Sequence, residues 1–130
     1  MGSPETEPTI TKVSADERGE IYSISLPGDR EIMLLHSFKG TLRGGHSHSC
    51  DEVVLLLSGK LWYTRRTPEG EEWTSVVAAG ECSFNPAGIV HLGEFLGDSW
   101  LIEWKIGTTK EGWSNENYAP YRNKVLAQLR

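Results

Sequence analysis

Cysteine is scarce in this 130-residue chain: Cys50 and Cys82 are the only two. Two thiols are too few for a disulfide scaffold, so both are read as free, which fits a cytoplasmic compartment. Long apolar runs are missing too, so no segment is expected to cross a bilayer, and membrane partners are excluded. No basic start followed by an apolar stretch marks an export signal. Positive charge is in deficit. Lys and Arg number 13 against 18 Asp and Glu, a formal charge of -5. That balance argues against broad binding of nucleic acid, although a local Arg or Lys can still hold a small anion. Helical periodicity is nearly absent, and no internal repeat or low-complexity tract occurs.

What is present is a series of short strand-like runs punctuated by Gly, Pro, Asp and Asn. Residues 21–26, 31–38, 52–57, 61–66, 71–77, 82–85 and 100–104 read as strands. Turns recurring every eight to twelve residues point to an all-β sandwich or barrel. The run Val53–Leu57 is apolar on both faces, so its outer side needs a second sheet or a partner subunit. Residues 1–9 are polar and are expected to be poorly ordered. The barrel is expected over 10–108, residues 106–119 read as a surface connection, and 109–130 form a C-terminal extension. Within that extension Tyr121, Val125 and Leu129 recur at helical spacing behind Pro120, predicting a short helix over about 120–129.

The densest chemistry lies in His46-Ser-His48-Ser-Cys-Asp-Glu52. In a regular strand, residues 46, 48, 50 and 52 share one face. Two imidazoles and a carboxylate there make a metal-ligand set suited to Zn, Fe, Ni, Mn or Cu, with positions left open for water or substrate. Cys50 has the same parity; it either lines the same face or is simply a small buried residue. Asp51 has the opposite parity and is expected to point away.

The spacing His46-x-His48, three residues, Glu52, six residues, Gly59 resembles the first motif of the cupin superfamily. Gly80, five residues, Pro86-x-Gly88, two residues, His91 resembles the second. This resemblance covers about residues 40–95. It implies a jelly-roll barrel whose lumen holds one divalent metal on His46, His48, Glu52 and His91. One place departs: Phe95 stands where the second motif usually ends in Asn. Two shorter segments point to narrower relatives. Asp16-Glu-Arg-Gly19 resembles the opening of cupin-fold nucleotide-sugar epimerases and ketoisomerases. Thr41-Leu-Arg-Gly-Gly-His46 resembles the cupin domains of capsular-polysaccharide enzymes.

The expected function is a metal-binding single-domain cupin, an isomerase, epimerase or lyase acting on a carbohydrate or a hydroxy or keto acid. An iron-dependent dioxygenase and a non-catalytic ligand-binding module are the alternatives. His36 is either a pocket acid/base or a hydrogen-bonded core histidine. Tyr63 is either a general acid or a pocket wall. Arg43 either meets an anionic substrate group bidentately or sits solvated on the rim. Arg65-Arg66 is most simply a solvated strand end. Five tryptophans, at 62, 73, 100, 104 and 113, suggest barrel packing, a subunit interface or one or two stacking platforms. Unpaired apolar strand surface leads us to expect a homodimer.

Overall fold

A computed structural model describes residues 7–108 and 112–129. Eleven strands and one helix follow in order: β1 (Thr9–Asp16), β2 (Gly19–Leu26), β3 (Arg30–Ser37), β4 (Leu42–His48), β5 (Asp51–Ser58), β6 (Lys60–Arg66), β7 (Glu72–Ala78), β8 (Cys82–Asn85), β9 (Val90–Phe95), β10 (Ser99–Ile106), β11 (Asn115–Asn117) and α1 (Ala119–Ala127). They form a six-stranded sheet, β1-β2-β3-β10-β5-β8, and a five-stranded sheet, β11-β4-β9-β6-β7. The pairings are antiparallel. This is the all-β jelly-roll with a short C-terminal helix that the motifs imply.

The core lies between the two sheets. Leu35, Val54, Leu56, Leu61, Tyr63, Val77, Phe95 and Leu101 pack together there. Val54 and Leu56 are fully buried, and each such side chain contributes on the order of 1.5–3 kcal/mol by leaving water. Phe95 is buried in this cluster, so the departure from the second motif has become a core residue. A smaller cluster joins Leu92, on the outer face of β9, to Tyr121 and Val125 of α1. The helix thus closes over the outside of β4 and β9. Its Tyr121 and Val125 are buried as the periodicity requires, while Leu126 is exposed. No helix among the described residues is long and apolar enough to cross a membrane.

Three strands, β1, β9 and β11, lie where the sequence reading assigns none. β1 starts at Thr9, inside the segment expected to be poorly ordered at its end, and pairs with β2. Its residues are mostly exposed, so it lacks the apolar alternation by which a strand is recognised. β11 falls in the stretch read as surface connection and pairs with β4, Asn115 opposite His48 and Asn117 opposite His46. Three polar residues carry no strand signal of their own; the open edge of β4 recruits them.

The heptad also differs from one regular strand. β4 ends at His48, the chain bends at Ser49–Cys50, and β5 begins at Asp51. His46, His48 and Glu52 are therefore brought together across a bend that carries the chain from the five-stranded sheet to the six-stranded one. A bulge at Gly44–Gly45 shifts the β4–β9 register by one residue. Both glycines have positive φ, 99° and 84°. A Cβ at Gly44 would lie 2.7 Å from the His91 carbonyl oxygen, and one at Gly45 would lie 2.8 Å from Arg122 Cα. The extra residue resets side-chain parity, so that odd-numbered Arg43 and even-numbered His46 both face the lumen.

Gly19 closes the β1–β2 turn at φ 132°, and a Cβ there would fall 2.0 Å from the His36 carbonyl oxygen. Gly19→Ala is expected to destabilise the protein by about 2–4 kcal/mol through that clash and the unfavourable backbone. Urea unfolding measures it; a change below about 0.5 kcal/mol would mean that the turn is not held as described.

Candidate metal centre and lumen cavity

β4 supplies His46 and His48, and β9 supplies His91, which faces His46 in register. Their ring centroids are 4.8–5.0 Å apart pairwise. One ring nitrogen from each lies within 4.8 Å of the others. Glu52, at the start of β5 and fully buried, lies directly beside this trio. Its Oε2 is 3.1 Å from His48 Nε2, and its Oε1 is 3.9 Å from His91 Nε2.

The corner before β9 is tied down from two sides. Gly88 N–H donates to the His48 carbonyl at 3.0 Å. Ala87 N–H donates to Asp51 Oδ1 at 2.9 Å. Asp51 does point away from the lumen, and from there it anchors the loop that presents His91.

Burial pushes His46 down to about 3, aided by the nearby His91 and His48, and burial likewise pushes His91 down to about 4. Both rings are therefore neutral near pH 7, the state in which an imidazole nitrogen ligates. Burial alone would raise the Glu52 carboxyl. The His48 hydrogen bond, the charge that His91 gains at low pH and the Lys105 ammonium outweigh it and hold the group below the usual carboxylate range. Within this cluster His91 Nδ1 is buried with no hydrogen-bond partner, while Glu52 Oε2 is met by His48 Nε2 and Lys105 Nζ. Neutral imidazoles, an ionised carboxylate and an unpartnered ring nitrogen fit a divalent cation of the borderline kind.

Outer contacts orient these groups, as they commonly do around ligating residues. His48 Nδ1 pairs with Asn115 Oδ1, which leaves its Nε2 facing Glu52. Asn85 Nδ2 donates to Glu52 Oε1 at 3.2 Å. Asn85 Oδ1 in turn accepts from Arg65 Nε at 3.0 Å. Arg65 is buried, also bonds Ser75 and Ser83, and stacks over Tyr63. Its expected role as a solvated strand end is corrected: it is an interior guanidinium saturated by neutral partners. Lys105, the cross-strand neighbour of Glu52, places Nζ 3.2 Å from Glu52 Oε2 and 4.1 Å from the Trp113 ring centre.

A cavity of about 190 Å³ adjoins the trio, lined among others by Arg18, Arg43, His46, Tyr63, His91, Glu103 and Arg122. A larger one, about 510 Å³, opens where β3 and β10 cease to pair beyond Met33–Glu103, walled by Ile32, Ile102, Trp104, Lys105 and Trp113. Glu103 lines both. Tyr63 is buried beside His91, and burial raises its phenol well above the usual range. Arg43 is buried rather than on the rim. His36 lies elsewhere. It stacks on Trp100 at 4.3 Å, on the sheet face opposite buried Leu35 and Ser37, so it is neither a lumen acid/base nor a core histidine. Cys50 sits half-buried in the β4–β5 bend, not on a strand face.

Sequence reasoning passed over Glu103, Lys105, Asn85, Asn115, Arg18 and Arg122. Glu103 and Lys105 did leave a signal: charged residues at the parity of Leu101 inside the apolar run Trp100–Ile106. Asn115 left none, because its role comes from a pairing decided across the sheet.

The jelly-roll and its buried His trio are those of the cupin fold, and the solved structures that resemble the chain agree. Capsular polysaccharide assembling protein CapF from Staphylococcus aureus is 26% identical, with TM-score 0.66, over 77% of this chain and 29% of that one. Oxalate decarboxylase from Bacillus subtilis is 16% identical, with TM-score 0.70, over 88% and 33%. Vicilin from Corylus avellana (hazelnut) is 13% identical, with TM-score 0.66, over 82% and 34%. The chain thus spans about a third of the length of each. No family model matches the sequence, and no curated relative matches it significantly.

Burial, then the charge of Glu52, raises the Glu103 carboxyl to about 7, against roughly 4.3 in an unfolded chain. Between these values the folded protein holds a proton that the unfolded chain has lost, so stability falls as pH rises through the window. Glu103→Gln is expected to match wild type near pH 4.5 and to exceed it by several degrees in Tm at pH 8. Thermal scans of metal-free protein test this; a difference independent of pH would show that Glu103 is ionised throughout.

Proposed function

We propose that this protein is a metal-dependent isomerase, epimerase or lyase acting on a small carbohydrate or a hydroxy or keto acid. The observation that carries the reading is the convergence of His46, His48 and His91 beside buried Glu52, at the wall of a cavity. Similarity to the capsular polysaccharide assembling protein, at 26% identity, favours a carbohydrate-related substrate. A bound divalent ion supplies Lewis acidity toward a carbonyl or hydroxyl oxygen. The protein's own groups do the rest. Asn85 and Asn115 hold Glu52 and His48 in orientation. Glu103, poised near neutrality, takes a proton from substrate carbon or returns one. Tyr63, kept protonated by burial, serves as hydrogen-bond donor or acid, while Phe95 and Leu61 exclude water from the inner end.

Elemental analysis of purified protein is expected to find about one divalent ion per chain, lost in His91→Ala and in Glu52→Ala. In D₂O the loaded protein is expected to exchange the hydrogen beside a substrate carbonyl, and Glu103→Gln to slow that exchange by about 10²-fold or more. A wild type that takes up no metal, or a metal-free sample exchanging at the full rate, defeats the reading.

We further propose a homodimer joined through the outer face of the six-stranded sheet. That face exposes Leu57, Phe84, Trp100 and Ile106 on adjoining strands β5, β8 and β10, an apolar surface of the kind that marks interaction sites. Sedimentation at micromolar concentration should give a dimer, and Leu57→Glu combined with Trp100→Glu a monomer. A monomeric wild type refutes the assembly.

A further inference from the structure

The lumen cavity carries more positive charge than its own carboxylates answer. Arg18, Arg43 and Arg122 line it, and the one acidic side chain in its wall is Glu103. Arg18 is neutralised by Asp16 at 2.7 Å. Arg122 donates to the Gly44 carbonyl at 3.1 Å. Arg43 is different. It is 9% exposed; its Nε donates to Ser37 Oγ at 2.6 Å, and its buried Nη2 has no partner. Among the described residues, no carboxylate forms an ion pair with it. Burial and the neighbouring Arg18 draw it down, and the carboxylates of Asp16 and Glu103 at longer range hold it up, to about 10, so it is charged at neutral pH. A buried guanidinium with no carboxylate in direct contact is costly, and the forked geometry of its free edge matches a carboxylate.

Size narrows the anion. At roughly 30 Å³ per water in the liquid, a cavity of about 190 Å³ has room for about six waters. That suits a molecule of six to ten non-hydrogen atoms, on the order of a small organic acid. It is well below the roughly 300–1,000 Å³ of sites that enclose drug-sized ligands, so a whole nucleotide sugar does not fit inside.

We infer that the cavity binds a small 2-hydroxy or 2-oxo acid, its carboxylate on Arg43 and its 2-oxygen toward His46 and His91. This rests on the metal-dependent reading above and selects the acid over the carbohydrate. The two segments that resemble sugar-enzyme motifs supply Arg18 and Arg43, and here both guanidinium groups line one small cavity.

Isothermal titration calorimetry in chloride-free buffer tests it, with pyruvate, glycolate, acetate and neutral hydroxyacetone titrated into metal-free and Mn²⁺-loaded protein. Metal-free wild type is expected to bind the three carboxylates and not hydroxyacetone. Arg43→Gln should weaken them by about 10- to 100-fold. Mn²⁺ should tighten pyruvate and glycolate but not acetate, which lacks the 2-oxygen. If Arg43→Gln does not fold, Arg43→Lys decides: it keeps the charge, loses the fork, and should bind about tenfold more weakly. Carboxylates that fail to bind metal-free wild type, affinity unchanged in a folded Arg43 variant, or hydroxyacetone binding equally well overturns the inference. Intact carboxylate binding with no effect of Mn²⁺ overturns instead the placing of the 2-oxygen and, if no metal is taken up, the metal reading.

Discussion

The Glu52 carboxylate is a full charge with no exposure to water, and much of the interior is arranged around that constraint. A buried carboxylate survives only if other groups replace its hydration. Four do so here: His48 and Lys105 at one oxygen, Asn85 and His91 at the other. Three of these are held by a further partner. Asn115 fixes His48, Trp113 faces the Lys105 ammonium, and Arg65 fixes Asn85. Strands from both sheets therefore meet at one carboxyl group, and the polar lining of the lumen is as specific as its apolar core.

The same constraint organises the charge of the cavity. Near Glu52 the positive groups are Lys105 and, through Asn85, Arg65. Further along the lumen Arg18 and Arg43 belong to the other pole, with Glu103 between them. Because burial desolvates Glu103 and Glu52 adds its field, the Glu103 proton is retained to near neutral pH. A second carboxylate is thus kept available as an acid while the first stays ionised. Their environments push the two apart, which is how sites commonly divide acid and ligand roles.

Much of this was legible in the sequence. Alternation and turns pointed to a sandwich or barrel, the resemblance of the motifs at His46, His48, Glu52, Gly59, Pro86, Gly88 and His91 to those of cupins implied the jelly-roll and its ligand cluster, and the helix followed from Tyr121 and Val125. Arg43 carried two readings, and burial removed the solvated rim. His36 was misleading because strand parity depends on register: its neighbours Leu35 and Ser37 face inward, so it faces Trp100 outside. The heptad was misread as one strand for a related reason, since a two-residue bend looks like continued alternation when its residues are small and polar.

By itself, the sequence determined the architecture and the identity of the residues rich in ligand atoms. Alternation, turn glycines and the Pro86–Gly88 corner are local properties that act over a few residues. Only the tertiary structure decided which side chains share the lumen. The Gly44–Gly45 bulge put Arg43 and His46 on one face, pairing of β10 with β5 set Lys105 opposite Glu52, and the edge of β4 captured Asn115. These outcomes depend on register between strands distant in the chain. Register is a property of the whole packed sheet, because a slip of one residue turns every side chain to the other face.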